Sequence, residues 1–455
     1  MSVGEIAVPT TSTAKQAIPL PVSAQHRISS LDTLRGFALL GILLMNIVSM
    51  GLYFWAYDNP TVTGGATGIN LWVWAILHVV AEGKMRCLFC LVFGASTILL
   101  TSRLEGQESA ADIYYRRLLW LLAFGIVHAF LLWEGDILYP YALCALILYP
   151  FRNLSARKLA VIGLLVMFLS AGFYIVDGYL TRGMLEKGRK AVELSNQGKP
   201  LTDEQQADKF AFEKWQKELH PSAEKLAKWN AEWRGNPWRV IKARARDVWP
   251  WHSHAYYYWW NLDIWSMMFM GMALFKMRVL GAERNYRFYG LMVLLGYGIG
   301  IPLNSYSAAF VIRTNFDYVM QDWAYSTYDL GRLTVALGHL GLIMLLCKSG
   351  WLRWLTNSLG AVGQMAFSNY IFQSLVTAFI FTGYGLALFG KLQRYQLYYV
   401  VLGIWIVQLM VSPIWLRHHR FGPLEWCWRS LTYGKRQPMR LEAAETTGAR
   451  AAALG

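Results

Sequence analysis

Leu31-Asp-Thr-Leu-Arg-Gly-Phe-Ala-Leu-Leu-Gly-Ile-Leu-Leu-Met-Asn-Ile-Val-Ser-Met-Gly-Leu-Tyr-Phe-Trp55 is an apolar run whose only charges, Asp32 and Arg35, stand near its start. A helix that crosses the hydrocarbon core of a bilayer needs about 20 mostly apolar residues, and this run supplies them. Runs of the same kind recur at roughly 71–100, 113–133, 137–150, 158–180, 257–277, 288–312, 325–347, 358–382 and 397–416, the fourth being short and bracketed by Pro140 and Pro150. Hydrophobic residues make up 55% of the 455 and charged residues 16%, against about a quarter charged in soluble domains. That balance excludes a disordered chain and disfavours a soluble enzyme. Trp249-Pro-Trp251 and Tyr256-Tyr-Tyr-Trp-Trp260 precede the sixth run and read as an interfacial aromatic belt. The expected fold is an all-α integral membrane protein, with about ten transmembrane helices in one bundle around a polar central cavity.

Lys and Arg total 43 against 28 Asp and Glu, a net charge of +15. The basic residues gather at the ends of apolar runs, which suits an anionic membrane leaflet rather than nucleic acid. Arg103, Arg116 and Arg117 follow the second run, Arg152, Arg157 and Lys158 the fourth, Lys276, Arg278, Arg284 and Arg287 the sixth, and Lys348 and Arg353 the eighth. Loop 56–70 has no Lys or Arg. The asymmetry places both termini in the cytoplasm, with Lys391 and Arg394 as outliers. A reporter fused after Leu194 is expected outside and one after Leu441 inside; the same side for both overturns the count of ten.

Residues 1–26, rich in Ser, Thr, Ala and Pro, read as a disordered tail and not a signal peptide. The expected organisation is transmembrane helices 1–5 over 27–180, an extracytoplasmic amphipathic loop over 181–256, helices 6–10 over 257–416 and a basic cytoplasmic tail over 417–455. The loop holds 15 Lys/Arg and 10 Asp/Glu. In it Phe212, Trp215 and Leu219 share one helical face and Leu226, Trp229 and Trp233 another, separated by Pro221, so two short amphipathic helices are expected on the bundle or the outer leaflet. Cys87-Leu-Phe-Cys90 has redox or half-zinc spacing without a second pair and reads as small apolar helix residues. His252-x-His254 and His418-His419 lack further ligands at metal spacing, so no metal is assigned.

Charged groups inside hydrocarbon are costly and therefore mark sites or structural pairs. Asp32 and Arg35 lie one turn apart, and Asn46 returns to nearly their face. They read as a polar stripe, or as a helix-end carboxylate with a snorkelling arginine. His78, Glu82 and Arg86 follow i, i+4, i+8 spacing, either a structural pair or a substrate clamp. His128 is followed by Gly135-Asp136-Ile-Leu in a tight turn, where an aspartate can orient a histidine base; the plainer alternative is a satisfied core histidine. Arg332 and His339 share one face of the eighth run, and Asn369 and Gln373 one face of the ninth, the amides reading also as glue between helices. Together these groups predict one polar cavity.

Arg27-Ile-Ser-Ser-Leu-Asp-Thr-Leu-Arg-Gly-Phe-Ala-Leu-Leu-Gly-Ile-Leu-Leu-Met-Asn46 and Glu82-Gly-Lys-Met-Arg-Cys-Leu-Phe-Cys-Leu-Val-Phe-Gly94 resemble the first two spans of the YeiB-type bacterial membrane proteins. His128 with Gly135-Asp136-Ile137-Leu138 looks like that family's third-span signature, and Gly363-Gln-Met-Ala-Phe-Ser-Asn-Tyr-Ile-Phe-Gln-Ser374 and Phe421-Gly-Pro-Leu-Glu-Trp-Cys-Trp-Arg429 look like its closing half. The resemblance covers roughly 27–436 and implies a bacterial inner-membrane location. The Leu-Asp-x-Leu-Arg-Gly start is similar, more distantly, to transmembrane acyltransferases, including lysosomal glucosaminide acetyltransferases and glycan O-acyltransferases. Asn46 stands near the place where the glycan enzymes carry a histidine. The resemblance implies transfer of an acyl group from a cytoplasmic acyl-CoA such as acetyl-CoA to a glycan, lipid or small-molecule acceptor, with no bound cofactor. His128 is then the base, oriented by Asp136, with His339 or His78 in reserve. Asp32, Arg35, Asn46, His78, Glu82, Arg86, Arg332, Asn369 and Gln373 are the expected binding residues. A transporter or flippase for an anionic metabolite or lipid head group is the other class the polar stripe fits. A homo-oligomer is compatible with either.

Overall fold

The computed structural model describes residues 28–253, 261–325 and 327–441. The expected tail 1–26, the aromatic block 256–260 and His254 lie outside the described residues. The described chain is α-helical with short 3-10 turns and no β-strand, apart from an isolated bridge between His419 and Arg440. Six segments are long and apolar enough to cross a membrane: Ser29–Gly51, Gly68–Arg103, Ala156–Asn196, Tyr286–Arg313, Tyr328–Ser349 and Arg394–Leu416. The other expected runs form shorter or more polar elements, named below. The protein is thus an all-helical membrane protein.

The first run forms α1 (Ser29–Gly51), which packs on α14 (Arg353–Gln364). The two backbones touch where Gly36 faces Leu359 and Gly363 faces Asp32; a Cβ on either glycine would strike the opposing carbonyl. The glycine of the Leu-Arg-Gly start is therefore a crossing point, where any side chain would force the helices apart.

The second run is not one helix. It breaks into α2 (Gly68–Val80) and α3 (Lys84–Arg103) at Gly83, which is left-handed with φ 68°. Carbonyls freed at a break inside a membrane need partners. Lys84 Nζ donates to the His78 carbonyl at 2.7 Å, and His339 Nε2 bonds the Val80 carbonyl at 2.8 Å. The expected single face of His78, Glu82 and Arg86 is lost at this break.

α4 (Ala110–Leu131) covers the third run, and the Pro-bracketed fourth becomes α5 (Leu138–Ala145) with a 3-10 turn at Tyr149–Asn153. α6 (Ala156–Asn196) is a single 41-residue helix that runs past the expected boundary at 180. Val161, Leu164, Leu165, Phe168, Leu169, Ile175, Val176 and Leu180 leave it exposed on one side, as lipid contact requires, and charged residues follow from Arg182. α7 (Asp203–Leu219) folds back on α6, with Phe212 seated against Gly188 and Trp215 edge-on to Tyr318 at 4.4 Å. α8 (Ala223–Trp233) turns Trp229 and Trp233 into a cluster with Val48, Phe381 and Phe389. The amphipathic faces thus pack on the bundle. α9 (Pro237–Ser253) crosses the end of α4, where buried Arg244 donates to the Leu131 carbonyl at 2.7 Å and approaches Glu134 at 3.5 Å. Burial pushes the Glu134 carboxyl up, against the pull of Arg244.

α10 (Leu262–Lys276) packs between α3 and α6, and α11 (Tyr286–Arg313) lies along α13 (Tyr328–Ser349) after the short α12 (Tyr318–Tyr325). The ninth run also breaks, at Met365, into α14 and α15 (Ala366–Phe381). The open N-terminus of α15 is capped from afar: Glu425 of α17 (Pro423–Tyr433) accepts from the Phe367 and Ser368 N–H groups at 2.7 and 3.1 Å. α16 (Arg394–Leu416) completes the bundle. Cys87 and Cys90 are buried against Met267 and the Tyr141 hydroxyl.

Candidate functional site

The polar residues expected to line one cavity sort into separate groups. At the first, Asp32 and Arg35 form an ion pair at 2.5 Å, and Arg35 also reaches the Ser96 hydroxyl at 3.2 Å. Arg117, whose guanidinium covers the Trp428 ring at 3.7 Å, lies close enough to Arg35 and Arg429 for their charges to interact. Basic groups therefore outnumber acids around this end of α1. Asn46, in the last quarter of the same helix, is half-buried and not part of that cluster.

The second group is an ion network between α3, α10 and α13. Asp263 Oδ2 accepts from Arg86 and from Arg332, both at 2.5 Å, and Arg332 also pairs with Asp329 at 2.5 Å. Beside it Glu82 accepts from the Tyr328 hydroxyl at 2.8 Å. Asp263 and Asp329 are not among the expected site residues, since nothing local in the sequence links either to Arg86. Arg332 and His339 part company, since His339 bonds the Tyr297 hydroxyl at 2.8 Å and the Val80 carbonyl. A carbonyl only accepts, so Nε2 carries the proton and Nδ1 takes the tyrosine's. Nε2 thus serves the helix break, and Nδ1 ties α13 to α11. Glu82 and His78 instead line a crevice of about 670 Å³, counting space open to solvent, together with Asp58, Asn304, Gln321 and Arg394.

The third group is an amide ladder joining α15 to α16. Gln373 donates to Gln408 at 3.0 Å, Gln408 donates to the Asn369 carbonyl at 2.8 Å, and Asn369 donates to the Ser412 hydroxyl at 3.0 Å. Asn369 and Gln373 thus hold two helices together.

The fourth group has the geometry of an acid–base site. His128 stands in the last turn of α4, and Asp136 stands in the turn that enters α5. His128 Nδ1 lies 2.7 Å from Asp136 Oδ1, and His128 Nε2 lies 2.8 Å from the Ser374 hydroxyl of α15. His128, Asp136 and Ser374 are 1%, 6% and 0% exposed. The other Asp136 oxygen accepts the Tyr139 N–H at 2.6 Å, which fixes the carboxylate at the start of α5. Gly125, one turn before His128, lets α5 come this close: a Cβ there would strike the Tyr139 backbone and Asp136. Tyr370 packs its ring on the imidazole, centroids 5.0 Å apart, and its hydroxyl accepts the Ile137 N–H at 3.2 Å. A carboxylate only accepts, so it holds the proton on Nδ1 and leaves Nε2 as the basic nitrogen, facing a hydroxyl. The pairing of His128 with Asp136 was expected; the partner on the second nitrogen was not, because it lies 246 residues away.

The model of the family described as Protein of unknown function (DUF418) matches residues 274–435. The chain is similar to the Uncharacterized protein YeiB of Escherichia coli (strain K12), 30% identical over 416 residues that cover 90% of this chain and 96% of that one. It is also similar to the Uncharacterized protein YxaH of Bacillus subtilis (strain 168), 28% identical over 92% of this chain and 97% of the relative. No solved structure matches. With that identity sustained over almost the full length of both proteins, the chain belongs to the YeiB family.

Proposed function

We propose that the protein is a transmembrane acyltransferase with ten spans and both termini in the cytoplasm of a bacterium. It takes an acyl group from a cytoplasmic thioester and delivers it to a glycan, lipid or small-molecule acceptor in the envelope. The observation that carries the proposal is His128, buried in an apolar helix end and held between Asp136 and a hydroxyl. Asp136 fixes the tautomer, and Nε2 takes a proton from a hydroxyl or amine as it attacks a carbonyl. Arg35, with Arg117 beside it, supplies cationic donors of the kind that hold the phosphates of an acyl-CoA.

The test is acetyl-CoA or a longer acyl-CoA given to purified protein with cell-envelope extract as acceptor. Release of free thiol supports the proposal. Binding without release in the presence of acceptors overturns it and favours transport of an anionic metabolite or lipid head group. At the donor end, Arg35→Ala is expected to weaken acyl-CoA binding several-fold in a folded protein, read by isothermal titration. Unchanged affinity makes the Asp32–Arg35 pair structural.

A further inference from the structure

Resting on that reading, we propose that Ser374 is a covalent acyl carrier, so that the transfer proceeds in two steps through an acyl-serine. The geometry of its hydroxyl singles it out. A serine inside a helix ordinarily donates to the carbonyl one turn back. Thr377, one turn further along α15, does so at 2.9 Å to Gln373. For Ser374 the same contact, to Tyr370, is stretched to 3.4 Å, while the hydroxyl sits 2.8 Å from His128 Nε2. With Nδ1 protonated toward Asp136, Nε2 can only accept, so the serine proton points at the imidazole. The lone pairs of Oγ are then the ones presented to a carbonyl carbon. Serine, histidine and aspartate stand in the order and at the distances that activate a hydroxyl.

In the first step Oγ attacks the thioester carbonyl and its proton passes to Nε2. The C–S bond breaks, and the imidazolium returns the proton to the departing thiolate. In the second step an acceptor hydroxyl or amine gives its proton to Nε2 and attacks the serine ester. Oγ leaves and takes the proton back. No other reactant is needed. Burial suits this role, because an ester shut away from water survives until the acceptor arrives. α4 and α15 meet here through side chains, His128 on Ser374 and the Phe124 and Phe367 rings 5.2 Å apart, and the turn before α5 adds the Ile137 N–H on the Tyr370 hydroxyl. Val127 and Leu375, the next residues on either side, are exposed on the apolar surface. This side-chain seam is where an acyl group reaches Oγ.

The experiment uses the full chain in detergent or nanodiscs without acceptor, given acetyl-CoA in one arm and p-nitrophenyl acetate in the other. The expected result is a burst of thiol or nitrophenolate and an acetyl group on the peptide that contains Ser374, both lost in His128→Gln. In Ser374→Cys the acetyl-enzyme becomes sensitive to neutral hydroxylamine, which cleaves thioesters and spares the wild-type ester. A serine that only braces His128 would not produce that switch. No acetyl on Ser374 in either arm overturns the inference. So does a Ser374→Ala variant that turns over acyl-CoA at the wild-type rate; the acyltransferase reading then stands with direct transfer. Acetyl on Ser374 from the nitrophenyl ester alone supports the serine carrier and overturns the cytoplasmic thioester as donor.

Discussion

His128→Gln is expected to abolish acyl transfer, by about two to four orders of magnitude, while expression, melting temperature and donor binding stay near wild type. Gln is close to His in volume and can still offer an N–H toward Asp136, so the junction of α4 and α5 keeps its packing. It lacks a basic nitrogen, so no proton can be taken from a hydroxyl. Asp136→Asn is expected to cost a comparable amount, because its amide NH2 would face Nδ1, make that nitrogen the acceptor and move the proton to Nε2, where the base is needed. The Tyr139 N–H still finds an acceptor in the amide oxygen. Normal turnover or a normal complementation phenotype in His128→Gln removes this site. A fall in melting temperature that tracks the loss of activity would mark the histidine as a core residue instead.

Asp263→Ala is expected to give the largest loss of stability in the protein, about 3–5 kcal/mol. Its carboxylate accepts from both Arg86 and Arg332, and it is 2% exposed. The network is balanced as it stands, two guanidiniums against Asp263 and Asp329. Without Asp263, two cations face one carboxylate, and one of them, Arg332, is buried. The matched control is Asp263→Ala with Arg86→Met, which restores the balance and is expected to recover part of the melting temperature. A single mutant that melts with the wild type would show that water or a rotated Asp329 already compensates the arginines.

Apolar run length made the bundle legible, and the long helices follow it. The helix breaks were less so. His78, Glu82 and Arg86 keep helical spacing through Gly83, and only the left-handed glycine, braced by Lys84 and His339, separates them. Contacts close in sequence were readable: Asp32 with Arg35, and His128 with Asp136 across a tight turn. Contacts between distant helices were not. Ser374 lay inside a recognised motif, yet its spacing carries no sign of His128, and Asp263 gives no local sign of two arginine partners. Asn369 and Gln373 showed that their helix needs polar contact; the ladder to Gln408 and Ser412 depends on which helix lies alongside.

The unbroken α6 also sets a height. At about 1.5 Å per residue it is about 60 Å long, twice the roughly 30 Å of a hydrocarbon core. Its apolar face ends near Leu180 and its charged face begins at Arg182. The stretch from there to Asn196 therefore stands about 20 Å clear of the lipid, with α7 returning down its side. The turn at residues 197–202 is the top of this mast. An epitope or fluorophore inserted there clears head groups and a detergent belt alike, which makes it a handle for imaging the protein and for telling the two faces of the membrane apart.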